Sequence, residues 1–180
     1  MTEVLIAGGA VMGASVAFWL TRLDPGLSVT VIEPDPGYAT ASTALSAAGI
    51  RSQFTNPVNV EISRFGIEFI RDFARWTGPA GGVPDLGLRE NGYLFLAETE
   101  TGALQLENLA AMQRTFGAAT EVLSPAELKA RFPWLSTEGV SAGSFGPRDE
   151  GFFDNMGLLY GFRNAARAAG VRFVRDRVVE

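Results

Sequence analysis

The sequence predicts an α/β fold with an α+β segment inserted into it, on three observations. An apolar run enters a glycine-rich turn and an apolar helix in "VLIAGGAVMGASVAFWL", Val4 to Leu20. A second, β-branched run, "SVTVI", Ser28 to Ile32, ends directly on Glu33. Further along, strand-like runs alternate with amphipathic helical ones between Gly92 and Phe145.

Glu3 to Ala7, rich in Val, Leu and Ile, reads as a buried parallel strand. Gly8 to Gly13 form the turn. Ala14 to Leu23 contain no breaker and read as a buried helix, ended by "DPG" at Asp24 to Gly26. Ser28 to Ile32 form the second strand. This order is that of a Rossmann mononucleotide-binding unit. Gly8 permits a sharp exit from the strand, and Gly13 lets the helix lie close to the sheet. The helix start offers amides and partial positive charge to a pyrophosphate. Glu33 falls where an acid accepts hydrogen bonds from a ribose diol, and it repels a 2′-phosphate, which disfavours NADP. The turn departs from G-x-G-x-x-G at Ala10, the middle position. Alanine fits there if φ is negative and costs roughly 1 kcal/mol or more if it is positive.

Tyr38 to Phe54, "YATASTALSAAGIRSQF", is rich in small residues and hydroxyls. Two readings fit it equally: a small-residue helix packed under a sheet, or a segment approaching a flat ligand. Asn59 to Trp76 reads as an amphipathic helix whose arginines form a solvated face, and Thr77 to Gly87 as a loop. Gly92 to Ala97 reads as a strand and Thr101 to Phe116 as a helix. "EVLSPAELKARFPWL" reads as a strand followed by a helix, with Ser124 as N-cap, Pro125 first and Glu127 completing a capping box. Val140 to Phe145 is a strand, Met156 to Ala169 a helix stopped by Gly170, and Val171 to Val174 a strand. Phe132, Trp134, Phe152 and Phe153 fit either a core or the lining of a substrate cavity.

Composition narrows the chemistry. Hydrophobic residues make up 47% and charged residues 19% of the chain, enough for a substantial core. There is no histidine and no cysteine, so no Cys/His zinc site, disulfide or histidine-based triad can form from these residues. No metal site is expected. Catalysis must rely on carboxylates, arginine, tyrosine, serine, backbone groups or a cofactor that carries its own reactivity. A net charge of -5 argues against nucleic acid as a partner and leaves a small molecule. The apolar stretch Val4 to Leu20 follows Glu3, has no upstream Lys or Arg and is glycine-rich, unlike a signal peptide or membrane span. The cytoplasm is the expected compartment.

The chain resembles the N-terminal half of the D-amino-acid oxidase-like (DAO) family of FAD-dependent oxidoreductases. The resemblance rests on "VLIAGGAVMGASVAFWL" with "VTVIEPD", "ASTALSAAGIRSQF", "ENGYLFLA" and "DEGFFDNMGLLYGFRNAARAAGVRF", in the family's order. It implies FAD rather than NAD. Gly8, Ala10, Val11, Met12 and Gly13 would meet the pyrophosphate, Glu33 the adenosine ribose, and Ser42 and Thr43 phosphates. Ser46, Ala48, Gly49 and Ile50 would lie along the isoalloxazine, with Ala48 where glycine is common. Backbone at Val179, or at Val178 on a one-residue slip, would contact the adenine. Some relatives attach flavin covalently to a histidine at the place of Ser46; serine excludes that link. Arg51 stands where the family often has a basic residue near the ring, though a surface arginine at a helix end fits equally; Gln53 and Tyr93 are lesser candidates.

The resemblance assigns residues 1–80 and 147–180 to a FAD-binding domain and 81–146 to a substrate-domain segment, with the family's C-terminal half expected beyond Glu180. It implies oxidation of the C–N bond of an amino acid or N-methylated amine, with hydride passing from an unprotonated amine to the flavin and an imine as product. A flavoprotein with a structural or assembly role is the first alternative, and an NAD-dependent dehydrogenase the second.

Overall fold

Strands β1 (Glu3–Ala7) and β2 (Ser28–Ile32) pair in parallel, from Glu3 opposite Ser28 to Ala7 opposite Ile32, in a computed structural model that describes residues 2–179. A third strand, β8 (Arg172–Val174), joins the free side of β2, also in parallel, giving the order β1-β2-β8. Val29 and Val31 of β2 are buried, as the central strand of a covered parallel sheet requires. Helix α1 (Val11–Leu23) starts three residues earlier in the turn than its apolar run alone indicated, and buries a stripe of Gly13, Ala14, Ala17, Phe18 and Thr21. It packs with α6 (Asn155–Ala168), whose N-cap Asp154 accepts the Gly157 N–H at 2.8 Å. Phe162 of α6 meets Phe18 at 5.3 Å and Phe73, in the short helix α3 (Phe73–Thr77), at 5.5 Å between ring centroids. These elements belong to a first packed unit, comprising the chain up to Ala48, Ile70–Gly87 and the chain from Asp154 onward.

The second unit comprises Gly49–Phe69 and Leu88–Phe153. Its main sheet is antiparallel, with β6 (Ala142–Gly146) between β4 (Tyr93–Ala97) and β5 (Glu121–Leu123). Helix α4 (Glu100–Thr115) is capped by Thr99. Helix α5 (Pro125–Arg131) starts with the expected reciprocal capping box between Ser124 and Glu127. Leu123, Leu128 and Phe145 form a core with Leu94, Phe132, Leu135 and Val140 around it. Of the aromatics weighed for a cavity, Phe132 is thus core, meeting Phe145 at 5.2 Å, whereas Trp134 is exposed. A two-stranded ladder pairs β3 (Gly49–Ile50) with β7 (Gly151–Phe152).

Several boundaries differ from the sequence reading. The helix expected over Asn59 to Trp76 is two, α2 (Pro57–Arg71) and α3, broken at Asp72. The strand expected over Val140 to Phe145 is displaced toward Ala142–Gly146. Residues 39–48 form successive turns rather than a helix. Residues 49–69 and 147–153, grouped by the sequence reading with the nucleotide-binding portion, pack with the second unit. Among the described residues no helix is long and apolar enough to cross a membrane.

Candidate functional site

The turn after β1 is built so that a helix can begin almost on top of the strand. Gly8 has φ +91°, a conformation that disfavours any side chain, and its N–H continues the ladder to the Ile32 carbonyl at 2.8 Å. A Cβ on Gly13 would collide with the Gly8 carbonyl oxygen. Ala10, the departure from the glycine pattern, is the N-cap of α1 with φ -66° and ψ -169°. Its methyl group therefore carries no left-handed strain, and alanine serves where glycine was expected. The cap has no side-chain hydrogen bond and the first turn carries no acid, so no carboxylate there opposes an incoming anion. The Thr43 hydroxyl accepts the Val11 N–H at 3.3 Å, and the Met12 side chain is exposed.

Glu33 is half-buried and held from two sides: Oε2 accepts the Gly9 N–H at 2.7 Å and Oε1 the Asp35 N–H at 2.9 Å. Each carboxylate oxygen keeps a lone pair for a further donor. A cavity of about 200 Å³ opens beside it, lined among others by Pro36, Tyr38, Arg163, Phe173 and Val174. Val179, expected at the adenine, lies beyond β8 and is exposed.

Ser42 and Ser46 are exposed and Thr43 is buried. The turns carrying them are tied to α6 by Asn155, whose side-chain amide donates to the carbonyls of Thr43 and Ser46. Ser46 Oγ accepts the Ala48 N–H at 3.0 Å. Ala48 itself sits at φ +53°, the left-handed region where glycine is at ease and alanine is strained.

In the second unit, Gly49 faces the Tyr93 hydroxyl so closely that a Cβ would strike it. Arg51 follows, its guanidinium 4.8 Å from the ring centre of Phe54 and 5.8 Å from those of Tyr93 and Phe95. These are cation–π distances to three rings, two of which, Tyr93 and Phe95, stack on each other. No carboxylate lies within ion-pair distance of Arg51 among the described residues, and its buried Nε has no hydrogen-bond partner. Glu150, 1% exposed, accepts the Ser52 N–H on Oε1 and the Gln53 side-chain amide on Oε2, both at 2.8 Å. Gln53 donates also to the Tyr93 carbonyl at 3.0 Å and accepts the Ser144 hydroxyl. Burial pushes the Glu150 carboxyl above its ordinary value, against the opposing pull of its bonds to Gln53 and Ser52 and of the Arg51 charge. Sequence reasoning did not single out Glu150 or Asn155. Both sit in "DEGFFDN", where an acid and an amide flanking a glycine and two aromatics were the available signal.

The sequence model of the DAO family, described as FAD dependent oxidoreductase, matches residues 3–180. The chain belongs to the DAO family of FAD-dependent oxidoreductases. The family's cofactor is FAD, so the nicotinamide alternative falls away. Among curated relatives, the chain is 43% identical over 181 residues to a Bos taurus FAD-dependent oxidoreductase domain-containing protein 1, covering 98% of this chain and 37% of that protein. It is 26% identical to the mitochondrial sarcosine dehydrogenase of Mus musculus, over 98% of this chain and 18% of that one. Among solved structures, L-proline dehydrogenase from P. horikoshii superimposes with a TM-score of 0.79 at 26% identity, covering 96% of this chain and 43% of that one. The chain thus spans little more than a third of the length of the bovine relative.

Two outcomes follow for this DAO-family chain. Ala48→Gly relieves a left-handed alanine worth about 1–2 kcal/mol, offset by roughly 0.4–1 kcal/mol of added freedom in the unfolded chain. Denaturant unfolding should register a net gain of up to about 1.5 kcal/mol. Glu150 holds its proton more tightly folded than unfolded. Its contribution to stability is therefore full below pH 4.5 and is lost as pH rises through the folded value. Unfolding measured across that range should show wild type losing stability relative to Glu150→Gln as pH rises.

Proposed function

We propose that the chain supplies the nucleotide-holding part, and a share of the substrate-binding part, of a flavoenzyme that oxidises the C–N bond of an amino acid or N-methylated amine. The observation that carries the substrate class is Arg51: a half-buried guanidinium flanked by three aromatic rings and engaged in no ion pair among the described residues. It suits the carboxylate of an amino acid. The names of the relatives, a sarcosine dehydrogenase and a proline dehydrogenase, point the same way.

FAD fits the residues of the turn after β1 and the end of β2. In this reading the backbone of Gly8, Ala10, Val11, Met12 and Gly13 would receive the diphosphate, with Ser42 and Thr43 adding hydroxyls. Glu33 would accept the ribose hydroxyls, and Val179 backbone would meet the adenine. Ser46, Ala48, Gly49 and Ile50 would run along the flavin ring, and the hold is non-covalent at Ser46. By function, residues 1–80 and 147–180 are the FAD-binding portion and 81–146 the substrate portion. Bound FAD would supply the acceptance of two electrons from the substrate. The chain's own contribution is binding and orientation. Arg51 would fix the substrate carboxylate, the aromatic rings around it would exclude water, and Tyr93 and Gln53 would hold the surrounding backbone. A chain without histidine suits a substrate whose amine arrives unprotonated. We keep the cytoplasmic reading for the compartment; the sarcosine dehydrogenase relative is mitochondrial by name, and cell fractionation separates the two.

Removing the ribose contact should weaken FAD without changing the cofactor. Glu33→Gln is expected to raise the FAD dissociation constant roughly tenfold to a hundredfold, the size of a hydrogen bond to a charged group, read by quenching of flavin fluorescence. For the activity, the full-length protein mixed anaerobically with sarcosine, dimethylglycine, proline, glycine or D-amino acids should lose its visible flavin absorbance with at least one of them. Failure with every amine would favour a structural or assembly role.

A further inference from the structure

A buried carboxylate needs a reason, because taking an acid out of water is costly unless every oxygen is served. Glu150 is almost wholly enclosed and makes no ion pair among the described residues. Both of its oxygens are committed to the two residues that follow Arg51, through the Ser52 N–H and the Gln53 side chain. Gln53 is fixed in turn by the Tyr93 carbonyl and the Ser144 hydroxyl, so the network ties the segment to β4 and β6. Tyr93 is also one of the rings that hold the Arg51 guanidinium. A Cβ on Gly146 would run into the Glu150 carboxylate, so the chamber is cut to this side chain. The buried Nε of Arg51 and the buried hydroxyl of Ser52 have no protein partner, which leaves donors for something the protein does not provide.

We propose that Glu150 is a positioning residue: it locks Ser52 and Gln53 so that the Arg51 guanidinium, free of any ion pair, is aimed at the carboxylate of the substrate. The proposal rests on Arg51 as the carboxylate-binding group. Glu150 does not touch the substrate. Its oxygens accept the Ser52 N–H and the Gln53 side-chain amide, and it forms no ion pair with the guanidinium. A glutamine at 150 would turn an N–H toward one of those donors and release one of the two bonds.

The test uses the full-length protein loaded with FAD, with benzoate as a carboxylate probe and benzamide as its uncharged counterpart. Binding is followed by the perturbation of the visible flavin band. Glu150→Gln is expected to weaken benzoate about tenfold and leave benzamide unchanged. Ser144→Ala removes the hydroxyl that fixes Gln53 without altering any charge, and should weaken benzoate in the same direction by a smaller factor; it carries the test alone if Glu150→Gln does not fold. Benzoate binding that stays the same or tightens in the variant that folds, with a lowered melting temperature or without one, overturns the proposal: Glu150 would then serve stability or merely compete for Arg51. Arg51→Met separates the two readings. If it leaves benzoate binding unchanged, the assignment of Arg51 itself fails. If it weakens benzoate while Glu150→Gln and Ser144→Ala do not, Arg51 stands and only the role of Glu150 is lost.

Discussion

The close approach of α1 to the strand before it governs the first unit. The Gly8 carbonyl stands where a Gly13 side chain would begin, so the helix can start this near the sheet only if residue 13 has no Cβ. That proximity brings the helix start to the carboxyl end of a parallel strand, the place where nucleotides bind in open α/β sheets. It also brings Glu33, at the end of the next strand, within hydrogen-bond reach of the Gly9 amide. The acid thereby braces the turn as well as presenting its remaining lone pairs. Alanine at position 10 is harmless because the turn uses it in extended conformation, not because the motif is loose.

The second unit works by a different constraint, the satisfaction of buried polar groups. Glu150, Gln53 and Ser144 form a chain of bonds in the interior, and Gln113 does the same nearby, accepting from Thr120 and donating to the Phe54 carbonyl. Apolar replacements would fill this space with less desolvation, but they would not hold a loop in one geometry. Residues 51 to 54 belong to no regular element, and side-chain bonds take the place of a ladder there.

The strand-turn-helix-strand opening of the first unit was largely legible in the sequence. Glycine spacing, β-branched runs and an acid after the second strand are local signals, and each reports a backbone demand that few residues can meet. The capping box at Ser124 was legible for the same reason. Short pairings were not: β3 and β7 are two residues each, below the length at which alternation can be counted. The turns of residues 39–48 defeated a composition argument because small residues suit helices and close turns alike, and the hydrogen bonds that decide between them come from Asn155, more than a hundred residues away. Glu150 escaped notice because an acid in a polar run reads as solvated, and only the fold encloses it. Arg51 could be nominated only through the family resemblance, because its three aromatic partners come from two separate stretches of chain.

The most direct measurement is a crystal structure of the full-length protein with FAD bound. The expected result is diphosphate oxygens against the free amides at the start of α1, between Gly8 and Gly13, and ribose hydroxyls donating to the Glu33 carboxylate. A dinucleotide seated anywhere else, with the mouth of α1 left to solvent, would contradict the central claim.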